Sequence, residues 1–597
     1  MATGSSRVVR RTLPLIVLLG VSWVVFSIAG SAKIEPADFT FNNATEVQTL
    51  DPATVTGVPE GRVMKALFEG LTVKDPKTLE ARPGSAESWE VSDSGLVYTF
   101  RIRDNAHWTN GDPVTAHDFV YSWERFLNPM TGADYAYQLW YVKGARDYTT
   151  QIDNDGKPNH SFDTVGVEAP DDRTLVVTLE SPTPFFLDLM GFYPMFPVNR
   201  NNIESAKEQW PDNWELKWLQ PENIVTNGPY LVGERRVNDR IRLIKNESYW
   251  DADNVAFNTI DVLAIEQQIT GLNVYLDGGS QLNTNIPSQL VRDLLKREDF
   301  NPKPYLGTYF YRVSVNRPPM DDVRVRRALA LCIDRQAITE KVTKSGQIPS
   351  YAFVPPGISG YSNAVMPRAP GSTGDLRADY EEAKRLLDEA GYGPSGRPFP
   401  TIEVHYNTME MHKAIAEQIA DTWKTELGIS AKLLNQEWKV YLDTQSSKNY
   451  DVSRSAWIGD YGDPNTFLDL FVTGGENNKT GWGNAEYDAS IAAAASEFDP
   501  VKRMQHFHRA EEILMEELPI LPIYFYVTQN IFSPRIGGYF DNVQDEHFPK
   551  FFYWMDDAEV CERYGWEPNS PLLSKYAGPS GGMYSPAEMR ARAGAGQ

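Results

Sequence analysis

Side chains able to do covalent or acid–base chemistry are present in this chain, but never at the spacing such chemistry needs. There is no His-Glu-x-x-His for a catalytic zinc, no Gly-x-Ser-x-Gly nucleophile turn and no Gly-x4-Gly-Lys-Ser/Thr phosphate loop. His506 and His508 stand two apart on a predicted helix, so they point to different faces and make a poor metal pair. Cys332 falls on the apolar face of another predicted helix with no histidine nearby in sequence, which reads as a buried core thiol. Carboxylates are abundant, yet nothing singles out an acid/base pair. The residues favour a binding role over catalysis, and neither a metal nor a cofactor is expected.

The elements that would carry a site are those of α/β lobes. Val97 to Ile102 and Thr174 to Leu179 alternate as half-buried strands, and Ile241 to Ile244, Ile260 to Ile265 and Ile520 to Val527 are further strand candidates. Asp322 is placed to cap a helix bearing Val325, Leu329, Cys332 and Ile333 on one face. Asp379 and Glu382 have capping-box spacing before a helix that Gly391 ends. Ile415, Ile419, Trp423 and Leu427 recur every fourth residue up to Gly428, and Asp499-Pro500 opens a helix to about Glu517. Alternation of the two element types predicts mixed sheets.

At 597 residues the chain is too long for one hydrophobic core. Its net charge of −23 repels phosphate backbones and argues against nucleic acid as a partner. An aromatic content of 12% suits a ring-lined pocket as well as large cores. The two cysteines make no disulfide framework. Arg7, Arg10 and Arg11 precede an apolar run from Leu13 to Ala29, and Gly30-Ser31-Ala32 follows. A cleaved signal peptide and a retained membrane anchor both fit residues 1–32, and either exports the rest to the periplasm or another extracytoplasmic space. Residues 556–597, rich in Gly, Pro, Ser and Ala, read as a flexible tail.

Six segments then recur in a telling order: Gly57-Val58-Pro59-Glu60 with Ala66 to Leu71; Trp108 to Phe119; Thr226-Asn227-Gly228-Pro229-Tyr230; Asn246 to Trp250; Asp322 to Leu329; and Trp457-Ile458-Gly459-Asp460-Tyr461-Gly462-Asp463-Pro464. Together they resemble the peptide-binding family of substrate-binding proteins of ABC importers, nearest its oligopeptide binders, over about residues 40–553. The resemblance implies a two-lobed, clam-shell periplasmic-binding-protein fold of type II with an additional third domain. It places one discontinuous lobe at 33–68, 201–306 and 525–555, the extra domain at 69–200 and the other lobe at 307–524. It implies a monomer that captures oligopeptides in a closing cleft and hands them to permease subunits. Dipeptides, cell-wall peptides and non-peptide solutes are alternatives on the same fold, as is a membrane-tethered peptide sensor or chaperone.

The same resemblance assigns site residues. Asp460 matches the carboxylate that holds a peptide's α-ammonium; capping of the turn beside Gly459 and Gly462 is the competing reading. Trp438 and Trp457 match tryptophans walling side-chain pockets. Arg454 and His412 match basic positions that receive a peptide carboxylate, although Arg454 could instead pair with Asp460. Val58, with Gly57 before it, matches a position that bonds the ligand backbone as an added strand, and Tyr135 matches a ring near the ligand. Thr56, Gln445 and Phe310 stand where the family has glutamate, arginine and tyrosine. Gly307 and Ile458 replace the two half-cystines of a family disulfide. Those departures leave the ammonium anchor in place and bear on peptide length and charge.

Overall fold

The computed structural model describes residues 35–361, 372–393, 396–475 and 477–576. The chain divides into a short unit, Met1–Asp38, and a body, Phe39–Gln597, to which every element below belongs.

Three main sheets organise the body. The first has the spatial order Ile531–Phe532, Leu282–Asn283, Phe39–Asn42, Thr259–Leu263, Arg240–Lys245, Tyr230–Arg236. Phe39–Asn42 runs parallel to both of its neighbours, and the remaining pairs are antiparallel. The second follows the order Ile348–Pro349, Ile520–Val527, Pro304–Val313, Val452–Ile458, Ile402–Asn407, Ala431–Gln436. Its last three strands are mutually parallel and the rest antiparallel. The third is an antiparallel sheet of Ala86–Val91, Val97–Ile102, Thr174–Thr178 and Val167–Asp171.

Burial groups these sheets into two lobes. Phe39 and Ile260 of the first sheet and Leu67 of the helix Val58–Leu67 share one core with Trp108, Phe119, Trp123 and Leu175 around the third sheet. The second sheet has its own core, where Tyr309 and Val404 meet Val325, Leu329, Ile419, Trp423 and Leu514 from covering helices. The fold is thus the expected two-lobed α/β architecture with one lobe enlarged.

Caps explain where the helices begin. Asp499 accepts from the backbone N–H of Val501 and Lys502, so Pro500–Glu517 starts where the sequence predicts. Thr115 and Asp118 form a capping box for Ala116–Leu127. Glu410–Leu427 ends at Gly428, whose φ of +68° no β-carbon opposes. Asp322 caps Val323–Leu331. One start differs. The helix expected from Ala383 covers Leu376–Glu389, capped by Asp375, and Asp379 lies one turn inside, buried and accepting from Thr373 N–H and Ser372 Oγ. The first turn, Leu376-Arg377-Ala378-Asp379, is exposed apart from Asp379, and the capping-box spacing of Asp379 and Glu382 drew the expected start inward.

Two details of the expected organisation change. Pro304 pairs with Val527 and Thr308 with Phe525 in the second sheet, so the chain returns to the first lobe after Val527 and not at residue 525. The two crossing segments lie side by side: Thr528 N–H donates to the Lys303 carbonyl at 2.8 Å, and Lys303 N–H to Thr528 Oγ1 at 3.0 Å. The tail expected to be flexible is ordered as far as Tyr576. Asp557–Tyr564, with a capping box from Asp556 and Glu559, and Pro571–Lys575 bury Met555, Val560 and Leu573 together. Arg535 donates to the carbonyls of Leu573 and Tyr576, and Arg563 to those of Ile536 and Tyr539. Buried apolar positions five and thirteen residues apart were too sparse to show a period. Residues 577–597 and the Leu13 to Ala29 run lie outside the described residues.

Candidate functional site

The strand Val452–Ile458 delivers its C-terminal end to the gap between the lobes. Gly459 N–H bonds the Leu306 carbonyl at 2.8 Å, and the chain then turns into the short helix Asn465–Leu468. Asp460 N–H donates to Thr466 Oγ1 at 3.1 Å. Its carboxylate accepts from Gln138 Nε2 of the other lobe at 2.9 Å. The half-buried Asp460 therefore joins the two lobes through one side-chain bond. Burial pushes its carboxyl up to about 7, opposed by the field of Lys74 and by the Gln138 bond. Lys74 is itself buried and donates to Gln544 Oε1 at 2.9 Å.

A cavity of about 420 Å³ opens beside this carboxylate, walled by Tyr137, Gln138 and Trp140 from one lobe and by Trp457, Asp460 and Asp469 from the other. The indole Nε1 atoms of Trp140 and Trp457 are buried with no partner among the described residues. A larger cavity, about 1070 Å³, lies on the first lobe against Asp51, Tyr121, Arg125 and Trp214; no predicted site residue lines it.

On the first lobe, residues 55–57 run extended and are gripped by tyrosines. Tyr135 OH donates to the Thr56 carbonyl at 3.4 Å and Tyr193 OH to the Gly57 carbonyl at 3.5 Å. Tyr135 packs edge-on against Phe192, with ring centres 5.4 Å apart. A β-carbon at Gly57 would fall 2.1 Å from a Glu60 carboxylate oxygen, so that side chain would have to move. Val58 departs from expectation. It is 45% exposed and is the first residue of the helix Val58–Leu67, so the extended run ends at Gly57. What Val58 offers is the N–H of a first helical turn, which has no intrahelical partner.

Behind the second lobe's strands lies a basic and aromatic cluster. Arg454, paired with Tyr311 across the sheet, donates from Nη1 to Asn407 Oδ1 at 3.3 Å and from Nη2 to Tyr526 OH at 3.2 Å, and lies 4.8 Å from the Tyr309 ring centre. Its Nε has no partner among the described residues, and among those residues it meets neither Asp460 nor another carboxylate. The alternative of an Arg454–Asp460 ion pair is therefore not what forms. Nearby tyrosines hold the guanidinium's pKa up against the opposing effect of burial. His412 Nδ1 lies 3.3 Å from Tyr309 OH, and burial together with the Arg454 charge lowers its pKa to about 2. Burial and the neighbouring guanidinium thus favour the uncharged imidazole of His412, which can still exchange hydrogen bonds.

Trp438 opens the helix Trp438–Ser446, and its side chain lies outside the described residues. Gln445 donates to Tyr441 OH, Ser453 Oγ and the Arg454 carbonyl at 2.8 to 3.0 Å, bracing the strand that carries Arg454. Phe310 packs against Phe353 with ring centres 5.0 Å apart. Gly307 and Ile458 are direct cross-strand partners. Cys332 and Cys561 are both free, and burial pushes the Cys332 thiol up to about 12. Among the described residues no group of three or more His, Cys, Asp or Glu could hold a metal ion. His508 stacks on Tyr361 at 4.2 Å, a packing role. Sequence reasoning missed Tyr137, Gln138, Tyr193 and Asp469; the aromatic run Tyr135-Ala-Tyr-Gln-Leu-Trp-Tyr141 was the one local signal for the first two.

Residues 80–479 match the family described as bacterial extracellular solute-binding proteins, family 5 Middle. The chain belongs to that family. It is 36% identical over 543 residues to the periplasmic murein peptide-binding protein MppA of Escherichia coli (strain K12), covering 90% of this chain and 97% of that one. It is 38% identical over 514 residues to the periplasmic oligopeptide-binding protein OppA of Salmonella typhimurium, covering 86% and 91%. Among solved structures, Haemophilus influenzae OppA in complex with RPPGFSPFR superposes with a TM-score of 0.74 at 33% identity, covering 88% of this chain and 100% of that one. The two-lobed fold seen here is that of this family-5 group.

Proposed function

We propose that this family-5 protein is an extracytoplasmic receptor that captures oligopeptides by their free α-ammonium and delivers them to the permease of an ABC importer. One observation carries the reading: a carboxylate between two lobes, Asp460, faces a cavity and has a single side-chain hydrogen-bond donor, Gln138. A carboxylate so placed favours the ligand role over a turn cap, because its own side chain bonds across the gap and not within the turn. Closing lobes over an unpaired ion is costly, so a fixed counter-charge selects ligands that bring an ammonium. The peptide names borne by relatives of similar length support the substrate class.

In this reading Val58 N–H and the extended segment before it bond the ligand backbone, and Tyr135, Trp457 and Trp438 wall its side chains. The buried, carboxylate-free Arg454 receives the terminal carboxylate at a suitable ligand length. We assign residues 39–68, 201–303 and 528–555 to one lobe, 69–200 to its extra domain and 304–527 to the other. The protein acts as a monomer, does no chemistry on its ligand, and reaches the membrane through the permease or its N-terminal segment. Calorimetric titration with tri- to pentapeptides tests this. Free-amine peptides should bind and their N-acetylated forms should not; equal binding of both would remove Asp460 from its role. Mass analysis of the peptides after incubation should show them intact.

A further inference from the structure

We infer that the cavity beside Asp460 is a pocket for a cationic side chain on the ligand's first residue, with Asp469 as its counter-charge. This deepens the peptide reading and rests on it. Thr466, whose hydroxyl accepts from Asp460 N–H, sits on the helix Asn465–Leu468, and Asp469 follows it by three residues in the helical turn Asp469–Phe471. Residues three apart on a helix share a face, about 5–6 Å between β-carbons. Asp460 and Asp469 thus line one cavity, with Asp469 about one helical turn from the Thr466 that holds the Asp460 N–H. The side chain nearest a bound α-ammonium is that of the first residue, and the four-methylene stem of lysine spans a gap of this order.

The walls match such a stem. Trp140, Trp457, Leu470 and Val472 offer apolar surface along which a lysine or arginine chain can lie while its head reaches a polar end. Asp469 supplies that end. Its side chain opens into the cavity, no described residue donates a hydrogen bond to its carboxylate, and the surrounding protein pushes that carboxyl up to about 6. Arg146, the one cation among the cavity's described lining residues, acts on it only through space and lies instead over the Trp140 ring at 5.5 Å. Once the α-ammonium has satisfied Asp460, an acidic first side chain still meets Asp469. A neutral one leaves Asp469 to a lengthened reach of Arg146, and a cationic one pairs with it directly. The preference is thus graded, not absolute.

The test is a comparison of affinities by calorimetry for Lys-Ala-Ala, norleucine-Ala-Ala, Glu-Ala-Ala and Ala-Lys-Ala with the full chain, and with Asp469→Asn and Asp469→Ser. Lys-Ala-Ala should bind about tenfold tighter than its norleucine counterpart, the scale of one charge-assisted contact. Glu-Ala-Ala should bind weakest of the first-position series, and moving lysine to the second position should remove the gain. In both variants the lysine-to-norleucine ratio should fall toward one, a ratio that cancels any general loss of binding. Equal affinity for lysine and norleucine in the natural protein, or a ratio unchanged in both variants, overturns the pocket while leaving peptide capture intact. Failure of every peptide to bind would instead bring down the peptide reading itself.

Discussion

Burial that pushes the Asp460 carboxyl up to about 7 couples ligand capture to pH. An ammonium binds the ionised form, so below about pH 7 the ligand must first displace a proton, and affinity should fall by up to tenfold per pH unit. Above about 8 the peptide's own α-amino group loses its charge. The optimum therefore lies between these limits, with a proton released on binding below it. Titrations from pH 5 to 9 in buffers of different ionisation enthalpy check this; a flat profile would show that Asp460 is already ionised in the free protein. The sign reverses for stability. The native carboxyl holds a proton between about pH 4 and 7 that the unfolded chain has lost, so the contribution fades as pH rises through 7. Asp460→Asn should accordingly raise the ligand-free melting temperature above pH 7 while lowering affinity for free-amine peptides roughly 100-fold, the scale of about 3 kcal/mol seen when one partner of a buried charge pair is removed. At this scale the sequence located Asp460 and Trp457 through their flanking residues. It could not locate Gln138, because a glutamine in an aromatic run carries no periodic or capping signal, and it could not foresee that burial favours the uncharged form of His412.

At the scale of elements, the segment Thr226 to Tyr230 shows why a motif can be structural. Asn227 Nδ2 donates to the Glu69 carbonyl while Glu69 N–H donates to Asn227 Oδ1, and Gly228 N–H bonds the Leu67 carbonyl at 2.9 Å. A β-carbon at Gly228 would lie 2.6 Å from the Leu67 carbonyl carbon and 2.7 Å from Phe68 N, backbone that cannot step aside. Gly228→Ala should cost about 1–3 kcal/mol in urea unfolding through this overpacking, and an unchanged midpoint would mean the strand Tyr230–Arg236 can shift away. The helices Asp557–Tyr564 and Pro571–Lys575 make a second case. Deleting residues 556–597 strips Arg535 of the Leu573 and Tyr576 carbonyls, removes the Arg563 guanidinium from the Ile536 and Tyr539 carbonyls and exposes Met555, and should lower the melting temperature by several degrees. Deleting only 577–597 isolates the contribution of those helices. Strong helix starts such as Asp499-Pro500 and stops such as Gly428 were legible because caps are local chemistry. Leu376–Glu389 was not, since Asp375 competes with the decoy pair Asp379 and Glu382.

For the whole molecule, the paired crossings at residues 301–303 and 528–530 are the one route by which the first and second sheets share backbone, and the Gln138–Asp460 bond spans the opening they flank. Ligand capture should therefore read out as a hinge closure. Small-angle scattering should show a smaller radius of gyration with a bound free-amine peptide, and Gln138→Leu should weaken binding mainly through faster release, since it removes a bond made only across the closed gap. An unchanged radius on saturation would mean the lobes do not close. By itself the sequence determined the α/β class, the family and most helix limits, because these follow from local caps, two- and four-residue periodicities and residues in fixed order. Tertiary structure alone decided which lobe each crossing strand joins, that Val58 is helical, that Arg454 lacks a carboxylate partner, and that Asp469 shares a cavity with Asp460. Those outcomes depend on contacts between segments hundreds of residues apart, and on the burial such contacts create, which no local pattern encodes.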